Sequence, residues 1–208
     1  MRSGEVNTVH VSQEDQLPTR DRLLQHGRDL YLELGPQNFS LREVARRVGV
    51  SPAAVYRHFD HKEALLSAVC QEGFRIFASY LMRALAASTP LERMRATRDM
   101  YGRFALEHPR DYHMIFLTSA QDLGWHASPP KTGGATFQFL VDRVHECMAD
   151  GTIAVGDAVE VAVCIWANVH GMVALRLCGH LASTGSTDAE FMQLFRLSSD
   201  RFLRGLAV

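Results

Sequence analysis

The chain has few cysteines for its 208 residues, almost no net charge and no long unbroken apolar run. Its four cysteines, Cys70, Cys147, Cys164 and Cys178, form no CxxC pair. They read as small buried thiols of a reducing compartment, and a redox pair of Cys164 with Cys178 has no other support. The 22 Lys and Arg residues against 23 Asp and Glu give a net charge of -1, so any attraction to nucleic acid or to an anionic surface must be local. The opening MRSGEVNTVHVSQEDQLP, residues 1–18, has no apolar stretch of signal-peptide type and reads as a mobile tail. The longest uncharged run, Val161 to Leu175, is interrupted by Asn168 and His170 and falls short of the roughly 20 residues a membrane span needs. The expectation is a soluble, cytoplasmic protein. Sustained strand alternation, repeats and low-complexity tracts are also missing. So are nucleophile–base pairs, paired carboxylates and cofactor motifs, which argues against an enzyme. Pro109 separates His108 from His113, and His58 and His61 flank a helix junction without cysteine or acid in ligand spacing. Neither a metal nor a cofactor is expected.

What is present is apolar periodicity. Hydrophobic residues make up 47% of the chain and charged residues 22%, enough for a sizeable core. The apolar positions recur at three and four, so the fold class is all-α. A first helix is predicted from Arg20 to Leu34, with Thr19 as N-cap and Gly35-Pro36 as its stop. Ser40 to Glu43 reads as a capping box opening a helix that ends at Gly49. Ser51 then caps a helix with Pro52 at its first position, where a missing amide costs nothing. Asp60 is the expected cap of a long helix to about Ala87. Further helices are expected over residues 91–107, 111–119, 135–150, 157–181 and 188–206. Gly124 to Gly134 is the one loop-like internal stretch, and its Trp125 is placed to cover a pocket mouth.

Two short helices joined through Gly49 form a helix-turn-helix. Ala45 must be small where the second helix crosses it, and Val44, Val48, Val50 and Val55 must be apolar to lock the pair. Between Ser40 and Lys62 stand Arg42, Arg46, Arg47, Arg57 and Lys62 against Glu43 and Asp60, a net charge of +3 in a near-neutral chain. A local cationic surface suits phosphate contact. A plain pair of helices in a bundle is the alternative reading.

The stretch SLREVARRVGVSPAAVYRHFDHKEALL resembles the DNA-binding domain of the TetR (tetracycline-repressor-like) family of bacterial transcription regulators. The resemblance runs from about Arg20 to Leu66 and includes Gly35 and Phe39. It implies a DNA-binding domain over residues 19–65 and a ligand-binding and dimerisation domain over residues 66–208. It also implies that Pro52, Ala53 and Ala54 face base edges in the major groove. Tyr56, His58 and Lys62 match positions that hold phosphate. Ser40 and Arg42 lie where the second helix meets the backbone or flanking bases. Arg57 stands where many members have a second tyrosine, so guanine and phosphate both remain open for it. For Tyr56 a packing role is the alternative, and for Arg46 and Arg47 a solvated face.

In the C-terminal part, Glu107 to Tyr112 with Met114, Ile115 and Phe116, and Trp166 to Gly171 with Leu175, resemble the WHG-type C-terminal domain of that family. Trp166 and His170 share a helix face, four residues apart. Gly171 would let another helix approach. Either this trio packs the core, or Trp166 and His170 line an effector cavity. The other candidate lining residues are Phe74, Phe77, Met100, Phe104, Tyr112, Phe116 and Phe137. With few charges among them, a small, mainly apolar effector is expected. The resemblance implies a homodimer through the last two helices, a palindromic DNA operator and a repressor released by its effector. An activator or a ligand-independent regulator is one alternative. A helical small-molecule-binding protein or enzyme without DNA binding is another.

Overall fold

The computed structural model describes residues 17–119, 123, 131–183 and 187–207. Most of the expected N-terminal tail, and Trp125 with the stretch 124–130, lie outside the described residues. The fold is all-α. In chain order the helices are α1 (Thr19–Leu34), α2 (Leu41–Val48), α3 (Pro52–Tyr56), α4 (Lys62–Met82), α5 (Pro90–Glu107), α6 (Pro109–Tyr112), α7 (Lys131–Ala149), α8 (Ala158–Leu177) and α9 (Asp188–Arg204). A tighter turn, Arg83–Ala86, extends α4, and a wide π turn, His113–Leu117, extends α6. The π turn closes with the Thr118 amide donating to the His113 carbonyl at 2.9 Å, five residues back. By contact the chain divides into two compact units, Met1–Val69 and Cys70–Val208.

The first unit is α1, α2, α3 and the start of α4. Leu23 and Leu30 of α1, Val44 and Val48 of α2, Val55 of α3 and Leu65 of α4 are all buried and form its core. Gly27 on α1 lies 3.2 Å, from an ideal Cβ, to the Leu65 side chain, so the two helices meet closely there. Ser40 caps α2, its Oγ accepting from the Glu43 amide at 3.2 Å. The return half of the expected box is replaced, because the Glu43 carboxylate accepts instead from Arg46 and Arg47. Gly49 ends α2 at φ 75°, the left-handed conformation that spares glycine a Cβ clash. The Val50 amide then reaches back to the Ala45 carbonyl at 3.0 Å, which fixes the turn. Two expected caps are corrected. Thr19 is the first residue of α1, because the Asp21 and Arg22 amides donate to the Pro18 carbonyl. At α4 the acceptor is His61 Nδ1, 3.1 Å from the Ala64 amide, and not Asp60.

In the second unit α5 is the central helix, touching α6, α7, α8 and α9. Thr89 and Glu92 form a full capping box at its start. Ion pairs brace it on two sides: Arg93 to Glu146 of α7 at 2.8 Å, and Arg98 to Asp200 of α9 at 2.7 Å. Met94, Val141, Val144, Cys147, Ala162 and Ile165 pack together between α5, α7 and α8. Cys70 and Cys147 are buried, and burial pushes their thiols up to about 12 and about 11. Cys164 and Cys178 are exposed, contrary to the reading of buried thiols. Helix α8, with mean hydropathy 1.6, is long and apolar enough by composition to cross a membrane, although the uncharged run inside it is shorter.

Gly102 carries the tightest approach on α5. A Cβ there would lie 2.9 Å from Phe195 Cε1 and 3.0 Å from Met192 Sδ, both on α9. Gly102→Ala therefore overpacks the α5–α9 contact. The expected outcome is a loss of about 1–3 kcal/mol in urea unfolding, with the midpoint lowered. An unchanged midpoint would contradict this packing.

Candidate functional site

Helix α3 has only five residues, too few to be stable alone, so its position depends on its ends and its buried side. Ser51 Oγ accepts from the Ala54 amide at 3.2 Å, with Pro52 at the first position. Val55 is fully buried, and Ala54 is 8% exposed. Ala54 is thus corrected from a base-facing residue to a packing one. On this single helical turn Ala54 and Val55 together form the buried side. Pro52, Ala53, Tyr56, Arg57 and His58 are exposed, Tyr56 at 53%, and they make one outward surface.

The flanking cations differ in what they already hold. Arg46 donates to both oxygens of Glu43 and Arg47 pairs with Glu33 at 2.7 Å. Arg46 beside Glu43 holds that carboxyl at about 2, well below the usual range. Among the described residues no acid pairs with Arg42 or Arg57, and both are exposed. Lys62 Nζ donates to the Pro36 carbonyl at 2.7 Å and lies near the Phe39 ring, pinning the start of α4 to the α1–α2 turn. Ser40 is exposed, and its role as a cap leaves its hydroxyl proton free.

A separate cavity of about 380 Å³ lies within the second unit. Among the sequence candidates, Phe74, Phe77, Phe116, Phe137, Trp166 and His170 line it. Phe77 and Phe116 meet edge to face with centroids 5.3 Å apart, and Phe137 lies 6.0 Å from Trp166. Three candidates do not reach the wall. Phe104 is fully buried one turn past Tyr101, 5.0 Å from the Phe77 ring. Tyr112 is fully buried behind His170, and Met100, one residue before Tyr101, is turned about 100° round the helix from it. Among the described residues of the chain Gly171 makes no close approach: an added Cβ would meet nothing within 4 Å. Sequence reasoning missed Met94, Thr97, Arg98 and Tyr101, which line the cavity from α5. Their spacing of three and four was the available signal, hidden because two of the four are polar.

The polar end of the cavity is a hydrogen-bonded cluster. His170 Nδ1 lies 2.7 Å from the Tyr112 hydroxyl and 3.0 Å from that of Tyr101. The two hydroxyls are 2.9 Å apart, and Trp166 Nε1 donates to Tyr101 at 3.3 Å. Burial pushes both phenols upward, so they stay protonated, and it pushes the imidazole of His170 downward. The arrangement offers a small set of hydrogen-bonding groups at one end of an otherwise apolar cavity.

Residues 23–69 match the family described as bacterial regulatory proteins, tetR family, and residues 94–197 match the tetracyclin repressor-like C-terminal domain. An HTH-type transcriptional regulator of Mycobacterium tuberculosis is 27% identical over 140 residues, covering 65% of this chain and 58% of that protein. The HTH-type regulator UidR of Escherichia coli is 35% identical over 57 residues, covering 27% of this chain and 29% of its own length. The match thus spans less than two thirds of either curated relative. A solved structure of a protein of unknown function from Rhodococcus sp. RHA1 superimposes with a TM-score of 0.77 at 28% identity, covering 98% of this chain and 100% of that one. PfmR, a regulator from Thermus thermophilus, shares the fold with a TM-score of 0.63 at 21% identity, covering 90% and 100%.

The half-buried imidazole of His170 gives stability a pH dependence. An unfolded histidine takes up its proton near 6.5, and the folded His170 does so at lower pH. Between those values the unfolded chain binds more protons, so stability falls as pH is lowered through that window. Melting temperature measured from pH 7 to pH 5 should decline, and His170→Gln should decline less steeply. Equal slopes for the two proteins would remove His170 as the source.

Proposed function

The chain belongs to the TetR family of bacterial regulatory proteins, and on that premise we propose that it is a cytoplasmic DNA-binding transcriptional repressor, dimeric on its operator and released by a small, mainly apolar effector. The observation that carries DNA binding is the exposed surface of α3, held by a capped and buried inner side, with two uncommitted arginines beside it. Pro52 and Ala53 would approach base edges, and Ala53 can touch a thymine methyl but cannot hydrogen-bond a base. Tyr56, His58 and Arg42 would hold phosphate, joined by the Ser40 hydroxyl and by the protons of Lys62 not given to Pro36. Arg57 would contact phosphate or guanine.

Dimerisation is supported by α8. It is mostly apolar, yet only 28% of its most apolar window is buried within the chain. Val159, Val163 and Leu175 are exposed on it, and Leu197 on α9. A second copy laid on α8 and α9 would cover them and would present two α3 helices to a two-fold operator. The apolar cavity supports a small effector. Phe74, Phe77 and Leu81 on its wall belong to α4, the helix that begins at Lys62 in the first unit. An effector that favours one position of α4 would change the spacing of the paired recognition helices.

Two measurements test this reading. Binding to DNA from around the protein's own gene, followed by fluorescence anisotropy, should weaken as salt rises. Arg57→Ala should weaken it roughly tenfold and lower the salt slope by about one if Arg57 holds a phosphate, or relax one base position if it reads guanine. Salt-independent or absent binding would sink the repressor reading. In sedimentation, the wild type should run as a dimer and Val163→Asp as a monomer with unchanged helicity, since Val163 is exposed in the single chain.

A further inference from the structure

The cavity's polar end has a direction, set by counting protons. Trp166 Nε1 can only donate, and it donates to the Tyr101 oxygen. The two phenols each carry one proton that must find an acceptor. Within the cluster the acceptors are the Tyr101 oxygen, the Tyr112 oxygen and His170 Nδ1. If Nδ1 accepts, both hydroxyl protons are placed: Tyr101 donates to Tyr112 and Tyr112 to Nδ1, or the reverse order with Tyr101 donating to Nδ1. If Nδ1 carries a proton it must donate to one phenol, and one of the two buried hydroxyl protons is left without an acceptor. Tyr112 is fully buried and Tyr101 is 5% exposed, and the Nδ1–H arrangement leaves one of their protons without a protein acceptor, so the arrangement that places both protons within the cluster is favoured. The neutral ring therefore carries its proton on Nε2. Among the described residues Nε2 has no hydrogen-bond partner, and His170 lines the cavity.

The other polar side chains of the wall add donors of the same kind. Arg98, with its side chain 7% exposed, gives Nε to Asp99 and Nη1 to Asp200, and a guanidinium has only protons to offer. Asn168 accepts the Ser199 hydroxyl on its carbonyl oxygen, which leaves its amide protons. We propose that His170 is the recognition residue of the cavity, a fixed Nε2–H donor oriented by Tyr112, Tyr101 and Trp166, and that the effector is an apolar molecule bearing an oxygen acceptor, a carbonyl or a carboxylate, placed against it. This rests on the effector reading of the cavity and specifies the chemistry of its ligand. Tyr112 is then a positioning residue: it does not touch the ligand but sets which ring nitrogen faces it. Burial of the imidazole works in the same direction, since the charged ring would also carry a proton on Nδ1.

The test uses four probes with the same nine-carbon scale of apolar body: methyl heptyl ketone, nonanoate, nonane and nonylammonium. Binding to the full-length protein is measured by calorimetry and by quenching of tryptophan fluorescence. The ketone, nonanoate or both should bind at least about tenfold more tightly than nonane and nonylammonium, the worth of one hydrogen bond. Whichever of the two binds better separates a carbonyl head from a carboxylate. His170→Phe should bring the acceptor probes down to the affinity of nonane and leave nonane unchanged. Tyr112→Phe should reduce the preference without abolishing it. Nitrogen NMR of histidine-labelled wild type, which needs no variant to fold, should show the Nε2–H tautomer at neutral pH. An Nδ1–H tautomer, equal binding of ketone and nonane, no binding of either acceptor probe, or a preference that survives in folded His170→Phe would each overturn the proposal. DNA release is scored separately: acceptor-dependent binding without release would sink the effector reading and leave the donor assignment standing.

Discussion

A buried hydroxyl proton must have an acceptor, and that requirement organises the wall of the cavity. Tyr101 on α5, Tyr112 on α6 and His170 on α8 come from three helices, and their hydrogen bonds close only when all three are in place. Leaving one such group unpaired in a buried site costs about 1–3 kcal/mol. The aromatic side chains around them supply area but little direction: Phe116 touches Phe74, Phe77, Tyr101 and Trp166 at ring distances of 5.3 to 6.3 Å. Packing of that kind tolerates shifts, and hydrogen bonds of fixed length do not. The polar cluster thus holds the helices at one spacing while the apolar remainder of the cavity stays open. The π turn after α6 belongs to the same arrangement, because Ile115 and Phe116, both on the wall, lie within it.

The first unit solves a different problem, that of keeping a five-residue helix in place. Propensity cannot do it at this length. The Ser51 cap, the Gly49 turn and the buried pair Ala54 and Val55 do it together. Spending two of five residues on attachment leaves Pro52, Ala53 and Tyr56 outward, and the chain continues the same surface through Arg57 and His58. The paired arginines contribute in another way. Glu43 and Glu33 hold Arg46 and Arg47, so these two stiffen α2 and its junction with α1. The charge that remains uncommitted sits at Arg42 and Arg57, on either side of the turn.

Much of this was legible in the sequence. Helix starts marked by Ser40 and Ser51 were readable because a cap is a local matter of one side chain and two or three amides. The turn at Gly49 was readable for the same reason. The cap at His61 was not, because an imidazole acting as acceptor is indistinguishable in sequence from one on a solvated surface. Apolar cavity residues on α4, α7 and α8 could be named from aromatic content. Telling wall from interior could not be done that way: Phe104 and Phe77 have the same chemistry, and only the rotation of α5 against its neighbours separates them. Arg98 and Thr97 were hidden by their polarity, since a charged residue normally marks a solvated face. Here Asp99 and Asp200 neutralise the guanidinium and allow it to be buried.

Helix α8 shows why periodicity is a weak guide when both sides of a helix are apolar. Its inner side carries Ile165, Trp166, Val169 and His170 to the cavity, and its outer side exposes Val159, Val163 and Leu175. A helix hydrophobic all round needs cover all round. The chain itself covers mainly the inner side, and by length and composition alone α8 resembles a membrane span. With a second copy on the outer side, as in the proposed dimer, the helix becomes a shared wall between effector and partner. A molecule that presses on Trp166 or His170 then also bears on the interface one helix diameter away. In the proposed dimer, effector binding and subunit geometry would be coupled by the rigidity of a single helix.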